Sequence, residues 1–443
     1  MIVKTNPLYA VILGLFLLCP TLSDAAGVKP GDLINKDNAA QVQDLLSPGN
    51  LRLVQQGMQI HVIASDKLEW PPPYKSATEK YASQVTLGTD GEIKGYVAGQ
   101  AFPLLDPNDP QVALKVMWNF SYRPLYTDDA DLRYAEVASY APTSSGSPVS
   151  YFTIGHFAFY NNIGRIEVQP VPTDPDAQAS GIRFRFAYYP LLEPSSLRGY
   201  GMIRFRHLDP NTDDNTWTFN PQSRRMRRQS PEVLSDALGA LPGFSGASSF
   251  GGTGSGNPAV VTTIDPDSYF GFSAKIEDYS YKFLGDKTML ASVHAKNSPE
   301  LPCATDGGKT ICPEDWELRR LYVIEATAKP NHNITIPKRV LYIDSEGWFI
   351  TASDQYDRDG KLWKTLAAFN TYRDRPVPDA RIAIYPYKRI FQVGLVDYDL
   401  QLGYSSVIYM PGREAQEREC WYIDMGTVDN SFFTPQALEN AGH

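Results

Sequence analysis

The sequence lacks the motifs that usually hold metal ions or activate nucleophiles. Its six histidines are dispersed, without an H-E-x-x-H motif or a pair four residues apart, and its four cysteines have no C-x-x-C spacing. Zinc sites depend on such spacings, so we expect no metal ion and no cofactor. A G-x-S-x-G nucleophile elbow is also missing, because Ala247 stands where the glycine after Ser245 is needed. These absences favour a protein that is not an enzyme.

Long apolar runs are confined to the first residues. The run Leu8–Leu18 is followed by a small-residue segment at 23–25 that resembles a signal-peptidase site, so we predict a cleaved secretory signal peptide over residues 1–25. Cys19 at the end of the run is the alternative signature of a lipoprotein signal, but that signal needs a small residue where Leu18 stands. The sequence therefore favours export over lipidation.

No later segment approaches the roughly 20 apolar residues of a membrane-spanning helix. The formal net charge is -9, which disfavours binding to the phosphate backbone of a nucleic acid. We therefore predict a periplasmic protein that is not transmembrane and has no nucleic-acid partner.

The remaining cysteines fit an oxidising compartment. Cys303 and Cys312 lie close together in a loop rich in Gly, Thr and Asp, so we predict a disulfide between them. Cys420 is left over, and its position beside Trp421 favours a small buried hydrophobic residue over a nucleophile.

The predominant pattern of the chain is that of β-strands. In Ile182–Phe186 apolar and charged side chains alternate, and similar stretches recur with turn residues between them. Such alternation is typical of antiparallel strands with one buried and one solvated face. We predict a mainly β fold, with a large antiparallel sheet that forms a half-open barrel over 151–443. The N-terminal segment, residues 26–150, is predicted to contain helices and strands that pack on this sheet.

Short helices and one loop are predicted to cover the sheet. Asn38–Asn50 has the pattern of a short helix stopped by Ser47-Pro48-Gly49, and Ser76–Val85 begins with a capping-box pattern. A further helix is predicted over Ser230–Phe244, where serine and proline start an apolar pattern. The Gly/Ser stretch that follows, 245–258, is predicted to be a flexible loop. We expect these helices and the loop to form a lid.

A basic, aromatic hairpin is the most specific feature of the sequence. The stretch "NTWTFNPQSRRMRRQSP", residues 215–231, places an aromatic strand, a turn at Asn220–Ser223 and a cluster of arginines side by side. One interpretation is a solvated hairpin paired with Asp213, Asp214 or Glu232. The other is a site for an anionic head group, membrane surface or acidic partner, because guanidinium groups bind such groups in bidentate geometry. Under the second interpretation the ligand-binding residues are Trp217, Phe219, Arg224, Arg225, Arg227 and Arg228.

The hairpin also carries a family resemblance. "DDNTWTFNPQSRRMRR" resembles the W-x-Y/F-x-P-x-x-R-R-x-R-R signature of the secreted family of domain of unknown function 1329, and "KRVLYIDSEGWFITASDQYDRDGKLWK" resembles another of its segments. A more distant similarity links the strand "TWTFNPQSR" and the later hairpin to lipoprotein carrier and sorting proteins of the LolA/LolB type. That resemblance implies an unclosed antiparallel barrel with helices as a lid over an apolar cavity. The family resemblance further implies an exporter of the resistance-nodulation-division type and an outer-membrane protein as partners.

Three functions follow as hypotheses, in order of preference. The first is a periplasmic, non-enzymatic binding or carrier protein for a lipid or another hydrophobic ligand, with transient contact to a membrane surface. The second is an envelope scaffold or assembly factor whose sheet interior is packed solid. The third is a glycan or ester hydrolase, which requires a carboxylate pair or an activated nucleophile in a cleft.

Overall fold

The computed structural model describes residues 27–89, 91–229, 244–246, 260–296, 302–330, 334–378, 383–410, 412 and 421–442. The predicted signal peptide, the helix predicted after the hairpin, most of the predicted Gly/Ser loop and Cys420 lie outside these residues.

Strands dominate the described chain. In chain order they are β1 Leu33–Ile34, β2 Ile60–Val62, β3 Thr86–Leu87, β4 Ile93–Lys94, β5 Asp129–Tyr140, β6 Ser150–Asn161, β7 Ile182–Glu193, β8 Gly201–His207, β9 Asn215–Asn220, β10 Arg225–Gln229, β11 Phe244–Gly246, β12 Val260–Thr262, β13 Tyr279–Ala291, β14 Glu314–Ala328, β15 Lys338–Asp344, β16 Ile350–Tyr356, β17 Leu362–Arg373, β18 Arg389–Asp399, β19 Tyr404–Tyr409 and β20 Trp421–Ile423. The α-helices are α1 Pro48–Gln55, α2 Pro72–Tyr81, α3 Val112–Ser121, α4 Asp176–Ser180 and α5 Pro435–Ala441. Short 3-10 helices cover Ala39–Leu45, Ala82–Gln84, Ser195–Leu197, Pro266–Gly271, Ile276–Asp278 and Ala304–Asp306.

Sixteen of the strands form one open sheet. Its main order is β13-β14-β15-β16-β17-β18-β19-β5-β6-β7-β8-β9-β10, with antiparallel neighbours throughout, while β1, β2 and β20 add to its margins. Among the described strands, β10 pairs only with β9 and β13 only with β14, so the sheet has two edges and does not close. The predicted fold class, a large open antiparallel sheet with a few short helices, is confirmed.

The sheet begins earlier in the chain than predicted. Strand β5 lies between β19 and β6, in the middle of the sheet, although the sequence analysis placed it in the N-terminal segment. Tyr134 in this strand has a φ of 59°, yet the pairing with β6 keeps the same register before and after it. The boundary predicted at residue 150 therefore has to move to a position before Asp129.

Helix α1 packs on the sheet through a glycine. The short helix predicted before this stretch is the 3-10 helix Ala39–Leu45, which ends just before Ser47. Ser47 then caps α1 by accepting a hydrogen bond from the backbone N–H of Asn50, so the Ser-Pro-Gly stretch also starts a second helix, which was not predicted. A Cβ on Gly49 would lie 1.9 Å from the Thr365 hydroxyl oxygen, so only glycine permits this approach. The backbone N–H of Gly49 donates to Asp354 at 3.1 Å, which fixes the N-terminus of α1 on β16.

The C-terminal segment covers the other end of the sheet. Leu438 of helix α5, Phe433 and Phe219 belong to one buried cluster, and Gly442 at the end of the helix lies against the Phe219 ring. Cys303 and Cys312 are joined by a disulfide with a Cα–Cα distance of 4.4 Å, just before β14. Within the part of the chain that the structure describes, no helix is long and apolar enough to cross a membrane.

Candidate functional site

The sheet has an inner face on which a pocket opens. We call inner the face that carries Phe184, Phe186 and Arg204, which are placed together by the pairing of β7 with β8. A cavity of about 140 Å³ lies between this face, the end of helix α3 and residues 269–276. We name it the interior pocket. Ten aromatic side chains line it: Tyr96, Phe120, Tyr122, Tyr126, Phe159, Phe184, Phe186, Tyr269, Phe270 and Phe272.

The aromatic rings form a contiguous apolar wall. Tyr126 stacks on Phe159 with ring centroids 5.2 Å apart, and Phe270 meets both rings edge-on at 5.1 and 5.3 Å. Phe159 lies opposite Phe186 across the β6–β7 pair, so strand alternation places the two rings on one face. Burial raises the pKa of the Tyr126 hydroxyl above its ordinary value, although Arg123 opposes the shift. The wall is therefore neutral and suited to an apolar ligand.

A segment that crosses the inner face separates the pocket from a second cavity. We call residues 262–271 the plug segment. Its Tyr269 and Phe270 line both the interior pocket and an apolar cavity of about 40 Å³ on the far side, where Phe157 and Met410 are among the neighbours. Phe270 has a φ of 54°, in the left-handed region that a bulky residue adopts only when its surroundings hold it there.

Polar contacts from the sheet hold the plug segment in place. Lys364 donates to the Thr263 carbonyl at 2.7 Å, and the Thr263 N–H donates to the Ser406 hydroxyl at 2.9 Å. Arg339, which is fully buried, donates to the Ser268 hydroxyl at 2.7 Å. The plug segment thus rests on a polar part of the inner face, whereas its two rings contact the aromatic part.

Four arginines line the interior pocket, and its lining contains no Asp, Glu, His or Cys. Arg206 is paired with Asp214 at 2.8 Å; burial alone would lower the pKa of Arg206, but the charge of Asp214 raises it above its ordinary value. Arg183 donates to the Ser121 hydroxyl at 2.5 Å and lies over the Tyr122 ring at 5.0 Å. For Arg123 burial dominates and lowers the pKa of the guanidinium. The remaining arginine of the lining is Arg204.

Sequence reasoning missed these arginines because it assumed a solvated face. In Gly201–His207 the sequence alternates charged and apolar side chains, and we predicted the charged side to face water for such strands. The C-terminal segment instead covers the face of Ile203, and Arg204 on the opposite side is only 5% exposed. Both faces are buried here, so alternation located the strand but not its environment.

The two aromatic residues predicted to bind ligand do not reach the interior pocket. Trp217 lies opposite Ile203 across the β8–β9 pair, and both belong to the cluster under the C-terminal helix. Phe219 is fully buried in the same cluster. Because neighbouring residues of a strand point to opposite faces, Trp217 and Phe219 lie on the outer face and stabilise the sheet there.

The predicted hairpin is present, and its arginines are exposed. Its four-residue turn is Pro221–Arg224, one residue later than predicted. Arg224 lies in this turn, while Arg225, Arg227 and Arg228 lie on the edge strand, all on the surface. Arg228 donates to Asn215 and lies 5.7 Å from the Trp217 ring centre. Asp214, one of the residues expected to pair with the hairpin arginines, forms an ion pair with Arg206 instead. The hairpin arginines therefore form a basic margin of the sheet, outside the interior pocket.

A buried carboxyl on β18 gives the fold a pH dependence. Burial raises the pKa of Asp397 to about 7, against the opposing charge of Lys364. The unfolded chain releases this proton near pH 4, so between about pH 4 and pH 7 the folded state binds a proton that the unfolded state lacks. We expect the free energy of unfolding to fall as the pH rises through this window, by on the order of 4 kcal/mol for this group.

Urea denaturation of the Asp397→Asn variant at several pH values tests this expectation. The variant should lose this part of the pH profile, because an amide does not titrate. Asp359→Asn, on an exposed turn, is the matched control and should retain the wild-type profile. An unchanged slope in Asp397→Asn would show that another group titrates in this window.

Within the described ranges, no group of three or more His, Cys, Asp or Glu side chains is placed to hold a metal ion.

An open antiparallel sheet with an aromatic pocket on its inner face defines the class of this protein. The chain belongs to the family described as Protein of unknown function (DUF1329), which it matches over residues 33–253 and 256–439. The family resemblance predicted from the arginine-rich hairpin is confirmed. A relative in Pseudomonas aeruginosa, the uncharacterized protein PA3922, is 24% identical over 94% of this chain and 83% of its own length.

Solved structures with a similar course of the chain come from three other bacteria. A domain from Vibrio parahaemolyticus assigned to the outer membrane lipoprotein-sorting proteins has a TM-score of 0.45 at 15% identity, over 74% of this chain and 98% of its own. A DUF1329 family protein from Desulfovibrio piger has a TM-score of 0.43 at 13% identity, with coverages of 73% and 96%. The LolA superfamily protein NE2245 from Nitrosomonas europaea has a TM-score of 0.35 at 13% identity, with coverages of 70% and 92%.

Proposed function

We propose that the protein is a periplasmic binding or carrier protein that holds a hydrophobic ligand in the interior pocket. The observation that carries this proposal is the cavity of about 140 Å³ with ten aromatic rings in its lining. Concave, mostly apolar sites with a few polar groups are the usual form of small-molecule sites. Removal of apolar surface from water supplies affinity of roughly 25 cal/mol per Å².

The size of the pocket limits what it holds in this conformation. An apolar cavity of about 150 Å³ accommodates one benzene molecule, so the interior pocket has room for one ring or a short alkyl segment. A lipid would need more space. A lipid, a ten-carbon chain or a dye of several rings therefore requires Tyr269 and Phe270 to move aside, because these two side chains separate the pocket from the second cavity.

The other two functions receive less support. A scaffold with a solid interior does not need a cavity on its inner face. A hydrolase needs a carboxylate pair or an activated nucleophile, and the lining of the interior pocket supplies neither. Binding without chemistry is therefore the function that the pocket supports best.

The cellular setting is part of the proposal. A predicted signal peptide and the Cys303–Cys312 disulfide support a periplasmic protein. Delivery of a hydrophobic ligand between a resistance-nodulation-division exporter and an outer-membrane protein would use the exposed arginines of β10 for transient contact with an anionic membrane surface or an acidic partner.

Blocking the interior pocket tests the proposed function. Ile163 lines the pocket, and Ile163→Trp should fill part of it and weaken binding of the neutral apolar dye N-phenyl-1-naphthylamine by about tenfold or more, equivalent to roughly 1.4 kcal/mol or more. The readout is a fluorescence titration. Leu104→Trp is the control, because Leu104 is 90% exposed and lies away from the pocket.

The two variants separate the hypotheses. Undiminished dye binding in Ile163→Trp, or equal loss in both variants, would contradict binding at the interior pocket.

A further inference from the structure

We infer that the ligand of the interior pocket is an amphiphile with an anionic group, a carboxylate or a phosphate, which Arg204 binds at the end of the aromatic wall. This inference rests on the proposed function and adds the chemical class of the ligand. It assigns to Arg204 the part that the sequence analysis gave to the arginines of the hairpin.

Arg204 is a buried cation with unused hydrogen-bond donors. Its side chain lines the interior pocket and is only 5% exposed. Its Nε and Nη2 atoms are buried, and neither donates a hydrogen bond to any residue that the structure describes. A buried donor without an acceptor costs free energy, and more so when it is charged. The two N–H groups are available to an acceptor inside the pocket.

A second arginine has a similar environment. Arg123 donates from Nη1 to the Phe120 carbonyl at 2.9 Å, whereas its buried Nε has no hydrogen bond within the described chain. Its guanidinium lies over the rings of Phe120 and Tyr126, at 4.3 and 5.6 Å from their centres. Stacking on aromatic rings is typical of guanidinium groups that also bind planar anions. Arg123 thus adds positive charge to the same pocket.

The carboxylates near the pocket do not meet these donors. Asp214 is hydrogen-bonded to Arg206. Asp267 on the plug segment attracts Arg204, Arg206 and Arg339 electrostatically, but neither Nε nor Nη2 of Arg204 donates to it. The lining itself contains four arginines and no carboxylate. An anionic ligand would therefore bring a charge and acceptors that the pocket lacks.

The position of Arg204 also orients the ligand. Arg204 lies directly opposite Phe186 in the β7–β8 pair, and Phe186 lies opposite Phe159 in the next pair. A carboxylate or phosphate on Arg204 accepts a two-pronged hydrogen bond, and the apolar part of the same molecule then runs along these rings. One ligand with a charged end and an apolar body can thus accept hydrogen bonds from Arg204 and pack against the aromatic rings.

Equilibrium dialysis with matched ten-carbon probes tests the inference. The probes are decanoate, decyl phosphate, uncharged decan-1-ol and inorganic phosphate, with the wild-type protein and the variants Arg204→Leu and Arg204→Gln. We expect the wild type to bind decanoate or decyl phosphate about tenfold to a hundredfold more tightly than decan-1-ol, the range for hydrogen bonds to charged groups. Arg204→Leu and Arg204→Gln should lose this preference and keep the affinity for decan-1-ol.

The control variant is Arg225→Gln, an exposed arginine of the edge strand, which should keep the wild-type preference. Equal binding of charged and uncharged probes by the wild type overturns the inference and leaves the proposed function intact. Binding of none of the ten-carbon probes contradicts the proposed function itself. If inorganic phosphate displaces decanoate as strongly as decyl phosphate does, the pocket is a site for a free anion, and the inference is overturned. The comparison of charged and uncharged probes on the wild-type protein tests the inference even if both Arg204 variants fail to fold.

Discussion

Replacing Phe270 with alanine is expected to join the two cavities of the inner face into one chamber. Phe270 lines both cavities, and its ring contacts Tyr126 and Phe159 at centroid distances of 5.1 and 5.3 Å. Loss of a buried phenylalanine ring leaves a cavity and lowers the free energy of unfolding by about 3–5 kcal/mol. The enlarged chamber should bind longer alkyl chains, since more apolar surface then leaves water.

Two measurements on the same samples check this prediction. Urea denaturation gives the loss of stability, and dialysis against alkyl carboxylates of increasing length gives the change in the preferred chain length. Phe283→Ala, on edge strand β13 and outside both cavities, is the matched control. It should lose some stability but keep the preferred chain length. A Phe270→Ala variant with unchanged chain-length preference would show that the two cavities do not form one binding space.

Arg389→Met is expected to lower the free energy of unfolding by about 3–5 kcal/mol, because it leaves buried carboxylates without their cation. Arg389 is only 1% exposed and pairs with Asp424 and with Glu167, the latter at 3.0 Å. Asp424 also accepts from the backbone N–H of Asp128 at 2.7 Å, and burial, followed by the charge of Asp424, raises the pKa of Asp128. Without Arg389 these carboxyls repel one another in a buried site.

The loss of stability in Arg389→Met is expected to depend on pH and to exceed the loss in a control variant. Burial raises the pKa of Glu167 and the charge of Arg389 opposes that shift. Removal of the cation therefore raises this pKa further, so the loss of stability should be larger at about pH 8 than at about pH 5. Arg375→Met is the control, since Arg375 pairs with Asp374 at 3.0 Å near the surface; exposed pairs contribute roughly 0–1 kcal/mol. Similar losses in both variants would mean that the Arg389 cluster is not a stabilising unit.

Most strands of the sheet could be predicted from the sequence because the signals of a strand are local. The hairpin of β9 and β10 follows from aromatic alternation, a proline-containing turn and a charged edge, all within Asn215–Gln229. Alternation in the same way located β7 and β8. Strand β5 was assigned to the wrong part of the protein because its two neighbours in the sheet, β6 and β19, both follow it in the chain, one directly and the other only near the C-terminus.

The site was harder to predict because its parts are distant in the sequence. The interior pocket combines Phe120 from α3, Phe159 from β6, Arg204 from β8 and Phe270 from the plug segment. No spacing rule connects these positions. The positive φ of Phe270 also has no signal in the sequence, since glycine is the residue expected there. The hairpin arginines attracted the binding hypothesis because they are adjacent in the chain, whereas Arg204 alternates with apolar residues in a strand whose pattern suggests a solvated face.

The central claim is that the interior pocket holds an apolar ligand, and native mass spectrometry of the protein purified from the cell envelope without detergent tests it most directly. We predict a complex with one small molecule per chain, released on denaturation and recovered in organic solvent, and depleted in Ile163→Trp but not in Leu104→Trp. Ligand-free protein that also fails to take up any of the ten-carbon probes would contradict the account.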